Sequence, residues 1–442
     1  MKKALYSHAF LVGSFNGIVN PQDLVKNGWK LKTLSKSEYD ERLTMYYKSH
    51  VDAMVEVEGN DKPEFLKDVH HYQYSYQTIT KDEKGYDKYE KMGERVSISF
   101  EKNGTMVKYP FVLCNLDLYF FPFDIVLVSI EIDDSGSELN MLTFAHSKLV
   151  NWESKIKDIA DDTFKKCFDP ICSFLPEKDL SKLVSDGNNL KIFQIVKGKE
   201  DAPVDERLFE IATFSPIPSV KGHTENSLSE DYYNKIMAEN SVSTYFNWKG
   251  LALVDSFTVL GGKDFEKRTW QWLNLYYPLV YLRCILEKTF CFSRNNAYRR
   301  DEKQMTVKKL SEDIAMMERY YFYGNFSYNF QPNLVYEAII KGLDIKNERE
   351  DLTKQVKERA KAEEERLKEK KEHRFNRILA WVSAFAVISV VWDFCSIVKN
   401  AFSIDERNPS SPYIAWGFIL LGIVIFIILY KLILRKNADE TN

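Results

Sequence analysis

Two long apolar runs in the last 65 residues restrict the folds open to this chain more than any other feature. Residues 378–398 (ILAWVSAFAVISVVWDFCSIV) carry one formal charge, Asp393, and residues 414–434 (IAWGFILLGIVIFIILYKLIL) carry one, Lys431. A helix needs about 20 residues to cross the hydrocarbon core of a bilayer, so each run has the length of a span. The joining loop, 399–413, is short. The expectation is a membrane protein whose preceding residues stay in water.

Charge sets the expected orientation. Lys368, Lys370, Lys371, Arg374 and Arg377 crowd the approach to the first run, and Lys431, Arg435 and Lys436 close the second. The loop between holds Lys399 and Arg407 beside Asp405 and Glu406. The positive-inside rule then predicts a multi-pass protein of the inner (plasma) membrane with both termini in the cytoplasm. The opening MKKALYSHAFLVGSF is interrupted by Ser7 and His8 and reads as a strand, not a signal peptide.

Composition excludes several classes. The net charge of −3 gives no global basic character, so direct nucleic-acid binding is not expected. The six cysteines form no CxxC pair, and the histidines, with His70-His71 adjacent, show no zinc spacing. GxxxxGK[ST], GxGxxG, GxSxG and HExxH are absent, so no enzyme is predicted. The acidic pairs Asp133-Asp134 and Asp161-Asp162 are neighbours whose side chains diverge, as on a solvated surface.

Residues 1–262 read as a cytoplasmic α/β domain. Aromatic and β-branched runs predict strands near 4–12, 53–57, 72–79, 96–100, 111–121, 125–132 and 250–260. Helices are predicted near 37–51, 137–152, 156–168 and 230–239, and 216–229 reads as a loop. Residues 263–333 form a helical hairpin region. Its segment 268–292 is apolar but carries Arg283, Glu287 and Lys288, which suits a buried or interfacial helix better than a third span. Pro278 is expected to kink or break it. Leu310, Ile314, Met317 and Tyr321 give the stripe of an amphipathic helix. From 334 to 377 a stalk helix follows, free of proline, with a thin apolar seam at Ile345, Leu352, Val356, Ala360 and Leu367. That seam suits packing against copies of itself, or a solvated single helix. The stalk runs into the first span (378–398); the outer loop (399–413), second span (414–434) and tail (435–442) complete the chain.

At 100° per residue, Ser389, Asp393, Ser396 and Asn400 of the first span share an arc of about 60°. Ser383 and Asn376 join it if the helix supercoils. A polar stripe on an apolar helix should face a bundle interior or water, which makes these six residues candidate pore-lining positions. A ring of Asp393 carboxylates would favour cations. The alternative is that Asp393 reaches the headgroups or pairs with Lys399.

This organisation resembles the CorA family of metal-ion transporters, and the resemblance implies a pentamer with the first span around a central pore. It implies the fold class in full: an α/β cytoplasmic domain, a long α-helical stalk and two C-terminal transmembrane helices. The family carries Gly-Met-Asn, selective for magnesium, at the outer end of that span. Here the residues are Ser396-Ile397-Val398-Lys399-Asn400-Ala401, and only Asn400 matches. The chain is therefore most similar to the CorA-like membrane effectors of type III CRISPR systems, with LDLYFFPFDIVLVSIEI (116–132) and WKGLALVDSF (248–257) as supporting patterns. That similarity implies gating by a small nucleotide ligand, the S-adenosylmethionine–AMP conjugate, and disruption of the membrane or its ion balance. The alternatives are a constitutive divalent-cation (Mg, Zn or Co) transporter without the usual filter and a pore-less membrane scaffold.

A ligand containing adenine needs aromatic faces and cations. Lys263, Lys267, Arg268, Trp270 and Trp272 offer both within ten residues; the plainer reading puts the tryptophans in the core and the charges in solvent. His70-His71-Tyr72 is a second candidate, although a strand would send His71 and Tyr72 to opposite faces.

Overall fold

Both faces of the central strands are apolar, and this requires a sheet covered on both sides. In the strand Tyr6–Ser14 (β1), Ala9 and Leu11 enter one core while Phe10 and Val12 enter another. The computed structural model describes residues 4–401 apart from 82–86, 185–188, 216–227, 266–271, 274–275, 300–306, 323–324 and 326. It also describes Gly417, Leu420, Gly422, Val424 and Ile427. The chain forms two compact units, Met1–Val356 and Lys357–Asn442.

The first unit is built on a 10-stranded mixed sheet. After β1 come Lys30–Leu31 (β2), His70–Ser75 (β3), Glu94–Lys102 (β4), Thr105–Phe121 (β5), Ile125–Asp133 (β6) and Lys191–Lys197 (β7). Ser241–Val242 (β8), Trp248–Ala252 (β9) and Ser256–Gly261 (β10) complete it. The spatial order is β8-β9-β10-β7-β1-β6-β5-β3-β2, with β4 on the first half of β5. Within this sheet β7 and β10 pair in parallel and the other pairs are antiparallel. The β5–β6 turn holds Phe123 and Asp124 at positive φ. Arg294 fixes that costly backbone by donating to the Phe123 carbonyl at 3.0 Å, its guanidinium 5.9 Å from the Phe123 ring.

One face is covered by Leu139–Val150 (α1), Trp152–Ile159 (α2) and Asp205–Thr213 (α3), with Trp152, Phe164, Phe168 and Phe209 fully buried. The other is covered by Tyr276–Arg299 (α4), Val307–Tyr320 (α5) and Phe330–Gly342 (α6). Pro278 does not break α4. It lies in the first turn, where the amide it lacks has no helical partner to lose.

The expected fold class, a cytoplasmic α/β domain with a long stalk and two C-terminal transmembrane helices in the CorA arrangement, is corrected here. The chain is a mixed α/β protein on a ten-stranded sheet, and among the described residues one helix is long and apolar enough to cross a membrane. That helix is Ile345–Ala401 (α7). No separate stalk starts at 334, because α6 and α7 are distinct helices. Leu343 and Asp344 divide them, with Asp344 at φ 57°. Ile345, Leu352 and Val356, read as an intersubunit seam, are buried in the core of the first unit instead. Their spacing is equally that of a helix docked on a domain, which the sequence pattern does not separate from self-association. The proposed second span, 414–434, lies outside the described residues apart from the five named above.

Gly342 marks where α6 meets the sheet. A Cβ there would stand 2.5 Å from the backbone C and O of Ala252. Alanine is the better helix former by about 1 kcal/mol, yet backbone on the other side leaves no room to yield. Gly342→Ala is expected to destabilise the protein by about 1–3 kcal/mol, read as a lower midpoint in urea unfolding.

Candidate functional site

The helix α4 carries charges where its apolar neighbours demand burial. Arg283 and Glu287, one turn apart, are 3% and 0% exposed. Removing two such groups from water costs several kcal/mol each unless nearly every donor and acceptor is met. The fold surrounds them accordingly. Arg283 Nε donates to Glu287 Oε1 at 3.2 Å, Nη2 donates to the Tyr321 carbonyl, and Nη1 lies 3.1 Å from His50 Nδ1. Tyr336, on α6, donates its hydroxyl to Glu287 Oε1 at 2.7 Å and lays its ring 5.2 Å from the guanidinium carbon.

A guanidinium only donates, so His50 Nδ1 accepts and the ring is neutral, with its proton on Nε2. Burial pushes the His50 imidazole down to about 3, and the Arg283 charge adds to the shift. Burial also raises the Glu287 carboxyl above its ordinary range, against the pull of Arg283 and Tyr336. His50, Arg283, Tyr46, Val51, Met54, Leu279 and Val280 line a partly open cleft with about 10 Å³ of free space. That is far below the roughly 300 Å³ at which small-molecule sites begin. In this form it has room for about one water-sized group beside the guanidinium, and none for a dinucleotide.

The same node holds the root of α7. Lys288 donates to the Leu343 carbonyl at 2.7 Å and to Glu348 at 2.8 Å. Arg349 places its guanidinium 4.8 Å from the Phe322 ring centroid. Lys288 of α4 therefore clamps the turn before α7 and its first turn. Among the described residues, the site shows no nucleophile paired with a base. What it can do is change packing when the charge balance around Arg283 changes.

Of the sequence-predicted ligand residues, Lys263 and Trp272 are among the described ones. Lys263 is exposed and pairs with Asp201 at 2.5 Å. Trp272 is 1% exposed, stacked on Tyr277 at 3.9 Å and edge-on to Trp248, in the core. Lys267, Arg268 and Trp270 lie outside the described residues. His71 and Tyr72 do point to opposite faces. His71 pairs with Asp117 at 2.7 Å and stacks on Tyr119, whereas Tyr72 enters the first core. Asn376, Ser383, Ser389, Asp393, Ser396 and Asn400 all lie on α7 and are exposed. Sequence reading missed the Arg283–His50 contact. The two residues are 233 positions apart, and the available signal was the charge triplet within an apolar helix. For a metal, His8, Cys114 and Glu131 form the group of suitable donors among the described residues.

Comparison with family models, with curated proteins and with solved structures finds no match.

Two outcomes test the node. Arg283→Met should cost about 3–5 kcal/mol, because Glu287 is left buried and unpaired. The double variant Arg283→Met/Glu287→Leu should recover most of the loss in chemical denaturation. As for pH, His50 is depressed in the fold and titrates near 6.5 when unfolded. Its contribution is therefore complete above pH 6.5, falls as pH drops toward about 3, and levels off below. Stability measured over that range should lose this slope in His50→Asn.

Proposed function

We propose that the protein is a membrane effector of type III CRISPR antiviral defence, gated by a nucleotide second messenger, the S-adenosylmethionine–AMP conjugate. One observation carries the reading. The helix α7 is rooted by the partly buried Lys288–Glu348 pair in its first turns, becomes apolar from Ile378 and is unbroken to Ala401. A ligand that favours one packing of the Arg283–Glu287 node over another biases the root of α7, and its differential binding energy sets the size of the shift.

The likeness of the sequence patterns at 116–132 and 248–257 to that group supplies the ligand class and the biological setting. The basic residues before the apolar run, from Lys368 to Arg377, support a cytoplasmic domain. Ser389, Asp393, Ser396 and Asn400 recur on one side of the apolar segment, and copies of the chain that bring those sides together would form rings of hydroxyl, carboxylate and amide groups. Activation disturbs the ion balance of the host membrane and halts growth before phage matures. No catalytic step enters, and magnesium serves as a competing cargo in the test.

The test uses detergent-purified full-length protein and the same protein in dye-loaded liposomes. Calorimetry should show binding of the conjugate but not of S-adenosylmethionine or ATP, and the conjugate should trigger dye or ion release. Asp393→Ala should change release severalfold while leaving conjugate binding intact. Absence of conjugate binding, with flux that follows a magnesium gradient, would overturn the proposal in favour of a transporter. Normal binding with release unaltered in both Asp393→Ala and Asn400→Ala would remove the pore role of the stripe.

A further inference from the structure

Three central strands meet at a fault in their pairing. Between β5 and β6, Asn115 pairs with Glu131 and Leu113 with Ile132, so Cys114 is the extra residue of a β-bulge. Bulges re-aim side chains and are over-represented beside functional sites. On the other side of β6, β1 sets His8 opposite Asp133 and Phe10 opposite Glu131. The result is convergence of three different donors. A ring nitrogen of His8, the thiol of Cys114 and a carboxylate oxygen of Glu131 all lie within 4.8 Å of one another.

We propose that His8, Cys114 and Glu131 form a binding site for a divalent transition-metal ion of the zinc class. The donor set is one imidazole, one thiolate and one carboxylate. Thiolate and imidazole suit zinc, whereas magnesium and calcium require oxygen ligands throughout. Zinc bonds of about 2.0–2.3 Å place tetrahedral donors roughly 3.3–3.8 Å apart, so His8 Nε2 and Glu131 Oε1, now 2.7 Å apart, separate to admit the ion, a movement of side chains and not of strands. Three protein ligands leave a fourth position open, and the partial exposure of Glu131 gives access to it.

The surroundings fit the role. Glu131 Oε1 lies 2.7 Å from His8 Nε2, and Asn115 holds the second carboxylate oxygen of Glu131. Asp133 Oδ2 stands 3.9 Å from His8 Nδ1. With Nε2 on the metal, Nδ1–H points to Asp133, the carboxylate–histidine–metal relay that orients ligating imidazoles. Binding expels the thiol proton of Cys114 and the proton shared by His8 and Glu131, so two protons leave as one dication enters. Without a metal the imidazole and carboxylates make an ordinary buried ion pair, in which the thiol has no part. Cys114 therefore decides between the two states.

The experiment is a cobalt titration of full-length protein in detergent after treatment with a chelator. One equivalent of cobalt should bind with a thiolate-to-cobalt charge-transfer band, zinc should displace it, and magnesium should leave the spectrum unchanged. Cys114→Ser should abolish the band and weaken zinc binding at least tenfold, while Cys172→Ser should alter neither. If Cys114→Ser does not fold, Glu131→Gln provides the second variant, with the band kept and the affinity reduced. A wild-type protein without the band, or a band that survives in Cys114→Ser, would overturn the proposal. The outcome is independent of conjugate binding, so it stands or falls separately from the proposed function.

Discussion

The arrangement of the first unit depends on the burial of Arg283 and Glu287 within an otherwise apolar helix. Neither charge can be left alone at that depth, so the neighbouring elements are held at hydrogen-bonding distance. Tyr336 fixes α6, the Tyr321 carbonyl fixes the end of α5, and His50 fixes the short helix Lys48–Asp52 between β2 and β3. An apolar core tolerates many packings of similar energy, whereas this one has a specific set of partners to satisfy. The covering layer is thereby locked in register with the sheet, and the turn into α7 with it.

A second buried network does the same for the opposite face. His146 on α1 bridges Asp134 at 2.8 Å and Gln194 at 2.6 Å, and Gln194 continues to Thr258 at 2.7 Å. Burial alone would push the Asp134 carboxyl up, but His146, Ser7 and Tyr109 outweigh it and hold it below the ordinary range. The sheet is thus pinned on each face by one polar chain set in a large apolar contact. The two networks differ in exposure: the first borders a partly open cleft, while His146 is fully enclosed.

Much of the sheet was legible because alternation and β-branched content are local properties. The runs at 4–12, 111–121 and 125–132 became β1, β5 and β6 with shifts of a few residues at their ends. The strand Lys191–Lys197 escaped notice. Its KIFQIVK sequence is buried on both faces, so it has neither the alternation of a half-buried strand nor the length of a helix. The charges of α4 did reveal burial, but not their partners, which arrive from residues far away in sequence. The metal-donor group was invisible for the same reason. His8, Cys114 and Glu131 have no local spacing, and a bulge that depends on strand pairing brings the cysteine in. The stalk was misjudged where two physical origins give one pattern, since Ile345, Leu352 and Val356 pack on their own domain.

The second unit poses a different constraint. Trp381, Phe385, Trp392, Phe394 and Ile397 of α7 are between 57% and 75% exposed. At about 25 cal/mol per Å², so continuous an apolar surface is not held in water by a soluble protein; it calls for lipid or a partner surface. Lipid alone does not suit the whole helix, because Ser389, Asp393, Ser396 and Asn400 recur on one side of it. A carboxylate facing hydrocarbon costs at least about 2.5 kcal/mol, and pairing or hydration removes most of that cost. Under the function proposed above, the two requirements are met together when the apolar side faces acyl chains and the polar side faces a copy of itself across water.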